Sequence, residues 1–267
     1  MKYSVIIWSA FDAVVRDGGP ASPASPAGVA PRAMDPTPYQ VYRDHVGGVA
    51  EAQFDHALAR SLATVDEYRR LESKEVRTTD AMRILLSTLG HGDQASPALL
   101  ECLAAAYDRQ RAAALSVSAE AVAVVKLAAS RARLGLIADW SDPGALQDVL
   151  DRAGIRSCFH AVVCSRDVGW RMPHRNAFDR LLQQLGAGAP GTLFVGTRFF
   201  PDVHGAIHAR LDTLWIDTQP DEAPPPRHVG AGPRPVPPLR VVPCPLPAYR
   251  ARSLLDVAKL LENGSPS

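Results

Sequence analysis

Cysteine is scarce. The chain has four, Cys102, Cys158, Cys164 and Cys244, with neither Cys-x-x-Cys spacing nor a secretory signal ahead of them. That argues against a zinc ribbon, a redox pair or a secreted disulfide framework, and leaves buried free thiols. No apolar run approaches the roughly 20 residues that span a bilayer, so no transmembrane segment is expected. An excess of one charge sign is missing too. The formal net charge is +1, which gives no broad electrostatic footprint for nucleic acid or an anionic membrane. No Gly-x-Ser-x-Gly elbow occurs, and Met1–Val15 shows no Arg-rich amphipathic presequence. Lysine is reduced to four residues against 25 arginines, a GC-rich coding bias that says nothing of fold. The hydrophobic share of 46% suffices for a sizeable core, as one large domain or a core plus an insert.

The most informative segment is Tyr3-Ser-Val-Ile-Ile-Trp-Ser-Ala-Phe-Asp-Ala-Val-Val15. Tyr3 to Ile7 reads as a buried strand, and the chain then turns through Trp8, Ser9, Ala10, Phe11 and Asp12. In open α/β sheets ligands sit outside the carboxyl ends of the strands, so this turn is where chemistry belongs. The segment resembles motif I of the haloacid dehalogenase (HAD) superfamily, strand-Asp-x-Asp-x-Thr, in the branch with a leading Trp and an Asp just before the Thr. Trp8 and Asp12 keep that frame. Ser9 stands at the position of the nucleophilic Asp, Phe11 at that of the general acid/base, and Ala13 at that of the Thr.

The resemblance continues from Arg133 to Asp217. Leu134-Gly-Leu-Ile-Ala-Asp139 is similar to the second strand, with Ala138 and Asp139 in place of the phosphate-binding hydroxyl and Asn. Asp142 to Gly154 reads as a helix with Asp142 as N-cap, Pro143 at its first position and Gly154 past its end. Ala161-Val-Val-Cys164 is a third strand, and Gly169 to Phe178 matches the stretch around motif III, with Met172 where the lysine is expected. Thr192 to Gly196 is a fourth strand, followed by a segment similar to motif IV in which Thr197 replaces the first acid and Asp202 remains. Gly205 to Arg210 and Leu214-Trp-Ile216 resemble the last helix start and the fifth strand.

The fold this implies is α/β: a Rossmann-like parallel five-stranded HAD core sheet flanked by helices, with an inserted α-helical cap and a Pro-rich C-terminal extension. The core would comprise residues 1–17 and 118–218, a Pro/Ala/Ser linker 18–38, the cap 39–117, and an extended tail 219–267 ending in a short helix over Ser253 to Glu262. Within the cap, Tyr39 to Leu62 has helical spacing weakened at Gly47-Gly48. Thr78-Thr79-Asp80 can cap Ala81 to Leu89, Ser96-Pro97 starts another helix, and Ser118 caps a helix running to Arg133. Eleven prolines in Gln219–Ala248 favour polyproline II and exclude helix or sheet there.

HAD phosphoryl transfer needs an aspartyl nucleophile, a second acid, and Mg²⁺ held by carboxylates. With those positions changed together, the expectation is a cleft filled by Phe11 and Met172, without a phosphate-sized polar pocket, and no catalytic, cofactor-binding or metal-binding residue. The chain then reads as a catalytically inactive HAD-like structural or accessory subunit of a larger protein assembly, mitochondrial or cytoplasmic and not secreted, with protein partners met through the tail and cap. The alternative is a HAD hydrolase, phosphatase-like, with altered active-site chemistry that uses Ser9 or another group, or a non-catalytic small-ligand-binding module. Asp12 reads as a turn carboxylate. His204 and His208, four apart with Asp202 nearby, have the spacing of a metal pair but no third ligand, and read as solvent-facing.

Overall fold

Val5–Ser9 (β1) is buried at all five positions, as a strand covered on both faces of a parallel sheet must be. The computed structural model describes residues 2–18, 35–218 and 246–263; most of the linker, 19–34, and the proline-rich segment 219–245 lie outside them. After a short β2 (Arg16–Asp17) come four helices, α1 (Pro38–His45), α2 (Glu51–Glu72), α3 (Thr78–Thr88) and α4 (Pro97–Ala113). β3 (Leu115–Ser116) pairs antiparallel with β2 and ties the returning chain to the departing one. The chain then alternates through α5 (Ala119–Ala129), β4 (Arg133–Ala138), α6 (Pro143–Arg152), β5 (Phe159–Cys164), α7 (Ser165–Val168), α8 (Arg175–Leu185), β6 (Thr192–Gly196), α9 (His204–His208) and β7 (Asp212–Ile216), and ends with β8 (Tyr249–Ala251) and α10 (Leu254–Asn263).

The main sheet has the order β5-β4-β1-β6-β7-β8 and every pair in it is parallel. β1 sits where the strand order reverses, so the crevice beyond its carboxyl end is the natural ligand site. Side chains of β1 alternate between two apolar layers: Ile6 and Trp8 join one, Val5 and Ile7 the other. This is the period of two that a strand imposes. A third apolar cluster, around Tyr42, Phe54, Met82, Leu85 and Leu103, belongs to the four-helix segment.

The sheet has six strands where five are expected. Tyr249–Ala251 pairs with Leu214–Ile216, so the end of the chain closes an edge that would otherwise present unpaired backbone groups. α10 then lays the buried Val257 and Leu261 into the apolar layer that also contains Val124, Val125 and Ala128 of α5, so the terminal helix docks on its own core.

Local chemistry sets most helix starts. Ser96, Ser118 and Asp142 each accept a hydrogen bond from the amide three residues on, satisfying donors that have no partner within the helix. Gly47 and Gly48 take φ of 73° and 94°, a region open to glycine, and this separates α1 from α2. α3 begins at Thr78 rather than Ala81, with Arg77 as N-cap. The Thr78 hydroxyl donates to Asp108 Oδ1 at 3.0 Å.

Candidate active site

Ser9 ends β1 and is 1% exposed. Its Oγ donates to Asp202 Oδ2 at 2.8 Å. Asp202 reaches it from a wide helical turn, Phe199–Val203, that follows β6 and leads into α9. Arg198, at the start of that turn, donates from Nη2 to Asp202 Oδ1 at 2.6 Å and approaches Asp139 Oδ2 at 3.5 Å. Asp139 follows β4, and its carboxylate accepts from the Met172 amide at 2.9 Å. Arg171 donates to the Asp139 carbonyl at 3.1 Å. Thr197 Oγ1 donates to the Phe11 carbonyl at 3.4 Å. The strand ends thus gather Ser9, Asp139 and Asp202 around one guanidinium.

The loop after β1 is wound tightly: the amides of Val14 and Val15 both donate to the Ala10 carbonyl, at 3.1 and 2.8 Å. Asp12 sits at its tip with φ 63°, a left-handed conformation that Asp tolerates better than most side-chain-bearing residues. Burial pushes the Asp202 carboxyl up, against the pull of Arg198 and the Ser9 hydroxyl. Asp139 is likewise raised by burial, with Arg171 and Arg198 opposing. Burial works against the charge of Arg198, but Asp202, Asp139 and Asp12 together hold the guanidinium above its usual value.

Over this cluster lies a cleft of about 620 Å³ between the strand ends and the helices. Phe11 and Met172 do line it, and Phe11 packs on Trp140 at 5.1 Å between ring centroids. They do not fill it. Arg69, Arg70, Arg111, Arg171 and Arg198 share the walls with Asp12, Asp66 and Asp139. The expectation of no phosphate-sized polar pocket is therefore wrong, because arginines from other positions share the lining with the apolar replacements. Arg111 also lines a second cavity, of about 480 Å³, among the helices.

Glu75, between α2 and α3, links the helical segment to this floor. Its side chain is 3% exposed and bridges Arg69 at 2.8 Å and Arg171 at 2.7 Å. It also accepts from the Ser165 hydroxyl. Beside it, Lys74 and Trp170 form an antiparallel bridge, and the Glu75 amide donates to the Gly169 carbonyl at 3.0 Å.

These residues do not fit the Mg²⁺ site that the fold implies. Both oxygens of Asp202 are engaged, one by Ser9 and one by Arg198, and Asp139 faces the same guanidinium. Mg²⁺ requires near-octahedral oxygen ligation, whereas a guanidinium offers only donors and stays charged. Among the described residues no group of three or more His, Cys, Asp or Glu is placed to hold a metal. His204 and His208 do meet, Nε2 to Nε2 at 3.2 Å, but Asp202 points away into its buried pairing.

Solved structures share this architecture. A 2-haloacid dehalogenase from Pseudomonas syringae pv. Tomato DC3000 superposes with TM-score 0.60 at 16% identity, covering 98% of this chain and 99% of that one. A HAD phosphatase from Thermococcus onnurineus gives 0.56 at 16% identity, covering 99% and 100%. The chain has the HAD-like fold. Among curated proteins, pyrimidine 5′-nucleotidase YjjG of Escherichia coli K12 is 35% identical over 106 residues, 39% of this chain and 46% of that protein. Glyceraldehyde 3-phosphate phosphatase of Pyrococcus abyssi is 31% identical over 84 residues, 32% and 35% of the two chains. Each match spans less than half the length of the relative. No family profile matches the chain.

These relatives are named for hydrolytic activities, and that overturns the reading of this HAD-like chain as an inactive accessory subunit. Arg171 and Arg198 were missed because neither stands where the family carries its lysine, although Arg171 adjoins Met172 and Arg198 lies four residues before Asp202 in a helical turn. The proline-rich stretch to which partner contacts were assigned, 219–245, lies outside the described residues. No helix among the described residues is long and apolar enough to cross a membrane.

Proposed function

We propose that this chain is a HAD-type hydrolase, phosphatase-like, with altered chemistry centred on Ser9. The carrying observation is the 2.8 Å hydrogen bond from Ser9 Oγ to the buried carboxylate of Asp202. A serine hydroxyl needs a base within hydrogen-bond reach, and a carboxyl raised by burial is a stronger base than an exposed one.

In this reading Ser9 passes its proton to Asp202 as Oγ attacks phosphorus, and the bond to the leaving oxygen breaks. That oxygen takes a proton from cleft water. The hydroxide so formed attacks phosphorus and breaks the phosphoserine ester, and Asp202 returns the proton to the Ser9 oxygen. Arg198 faces the charge that develops on the transferring group. Neither Ser9 nor Asp202 lines the cleft, whereas Arg198 does, so the substrate anion must draw Arg198 off Asp202 to reach the serine. Residues 39–117 would act as the cap that selects the substrate.

The test is hydrolysis of small phosphate monoesters by the purified chain, with pyrimidine 5′-monophosphates and triose phosphates in the panel because they suit the named relatives. Ser9→Ala should reduce turnover to background, and Asp202→Asn should lower kcat by about 10²–10⁴-fold. Wild-type protein inert toward the whole panel, or Ser9→Ala as active as wild type, would end this reading.

A further inference from the structure

The strand-end site already contains a cation. Arg198 lies within 3.5 Å of both Asp139 and Asp202, and Asp12 is close enough to add to the field that keeps it charged. Two carboxylates that a divalent ion would need are therefore turned toward a group that cannot leave its charge behind.

A second observation concerns donors rather than acids. Five buried side-chain nitrogens among the described residues lack a hydrogen-bond partner, and three of them, Nε of Arg69, Nε of Arg198 and Nε1 of Trp140, belong to residues lining the same cleft. Buried polar atoms are nearly always paired, so each exception calls for a partner. These nitrogens are shielded as the side chains stand, and a movement of Arg198 toward an acceptor-rich ligand in the cavity would give its Nε a partner.

We propose that Arg198 is the resident cation of this site and that it receives an oxyanion, phosphate or carboxylate, without a bridging divalent metal. The proposal deepens the hydrolase reading in naming how the substrate's anion is held, but binding can be measured without turnover. A bidentate guanidinium suits a planar pair of oxyanion oxygens, and the exchange is conservative: Arg198 gives up the Asp202 oxygen and takes one from the ligand. Asp202 is then left free to accept the Ser9 proton.

The experiment uses the full chain in EDTA, titrated by calorimetry with inorganic phosphate and, separately, acetate, and by thermal shift with MgCl₂ and MnCl₂. Saturable phosphate or acetate binding in EDTA is expected, and the stronger of the two identifies the anion class. Arg198→Lys should weaken it by roughly ten- to hundredfold, the loss of a charged hydrogen-bond geometry. Wild-type melting should not move with either metal, whereas Arg198→Ala, which leaves Asp202 without its cation and Asp139 with Arg171 alone, should become metal-stabilised. Should Arg198→Ala not fold, the wild-type and Arg198→Lys titrations decide. Anion binding that appears only with Mg²⁺, or saturable Mg²⁺ binding by wild type, overturns the proposal. Metal-free anion binding without hydrolysis of any ester upholds it and sinks the hydrolase reading alone.

Discussion

Asp108 carries its carboxyl into the interior of the helical segment, where burial pushes it up to about 6 despite the hydrogen bond from Thr78. A carboxyl whose folded value is raised favours the folded state while protonated and loses that contribution as pH climbs. The window runs from about 4 to 6. Asp108→Asn should therefore stabilise the protein at pH 7 to 8, by at most about 3 kcal/mol and by less once residual solvent screening is counted. The gain should vanish below about pH 4, as chemical denaturation at several pH values would show. Gly205 faces a different constraint, since a Cβ there would lie 2.8 Å from the Pro173 Cα and 3.0 Å from Phe178. Gly205→Ala should cost about 1–3 kcal/mol in denaturant, because backbone must shift beside Met172. Burial drives the Cys164 thiol up to about 12, so iodoacetamide should label Cys102, which is exposed, and leave Cys164 untouched in the native state. Such residue effects were only partly legible in sequence. Buried thiols were expected throughout, which holds for Cys164 but not for the exposed Cys102 or the half-buried Cys158, and the pressure of Pro173 on Gly205 exists only once two distant loops meet.

Elements with chemical punctuation were readable in advance. Asp142-Pro143, Ser96-Pro97 and Ser118 begin helices where their side chains reach orphan amides. β8 had no such mark: three residues after a proline-rich stretch carry no period, and only the open edge of β7 gives them a partner. Its anchoring is nonetheless specific, with the Tyr3 hydroxyl donating to Tyr249 Oη at 3.0 Å. α10 adds the apolar contribution, with Leu261 buried and its carbonyl accepting from Arg131. Leu261→Ala should lower stability by about 2–4 kcal/mol, measured by denaturant titration, and an unchanged midpoint would show that the terminal helix is not part of the folding unit.

At the scale of the molecule, the fold could be recognised because strand order and motif frame are spread over the whole second half of the chain. The site's charge could not. It is kept in space rather than in position: arginines next to the expected places replace a lysine and a metal, and no one-to-one reading of motif residues finds them. Glu75 illustrates the same point, a single acid in a short connection that proves to hold Arg69 and Arg171 together. Glu75→Ala should cost about 3–5 kcal/mol by taking the buried acid from between two guanidinium groups, Arg69 keeping only the exposed Asp66, and should raise KM before it touches the chemistry, since Arg171 and Arg69 line the cleft.

The bridge between Lys74 and Trp170, with Glu75 next to it, stitches the connection between α2 and α3 to the loop after α7. Two bodies sewn along a seam have little room to swing as rigid halves, so passage to the serine falls to single side chains at the rim, Phe200 and Arg70 among them. A hydrolase arranged in this way would sort its callers by girth at the doorway, and solvent viscosity should leave its kcat unchanged.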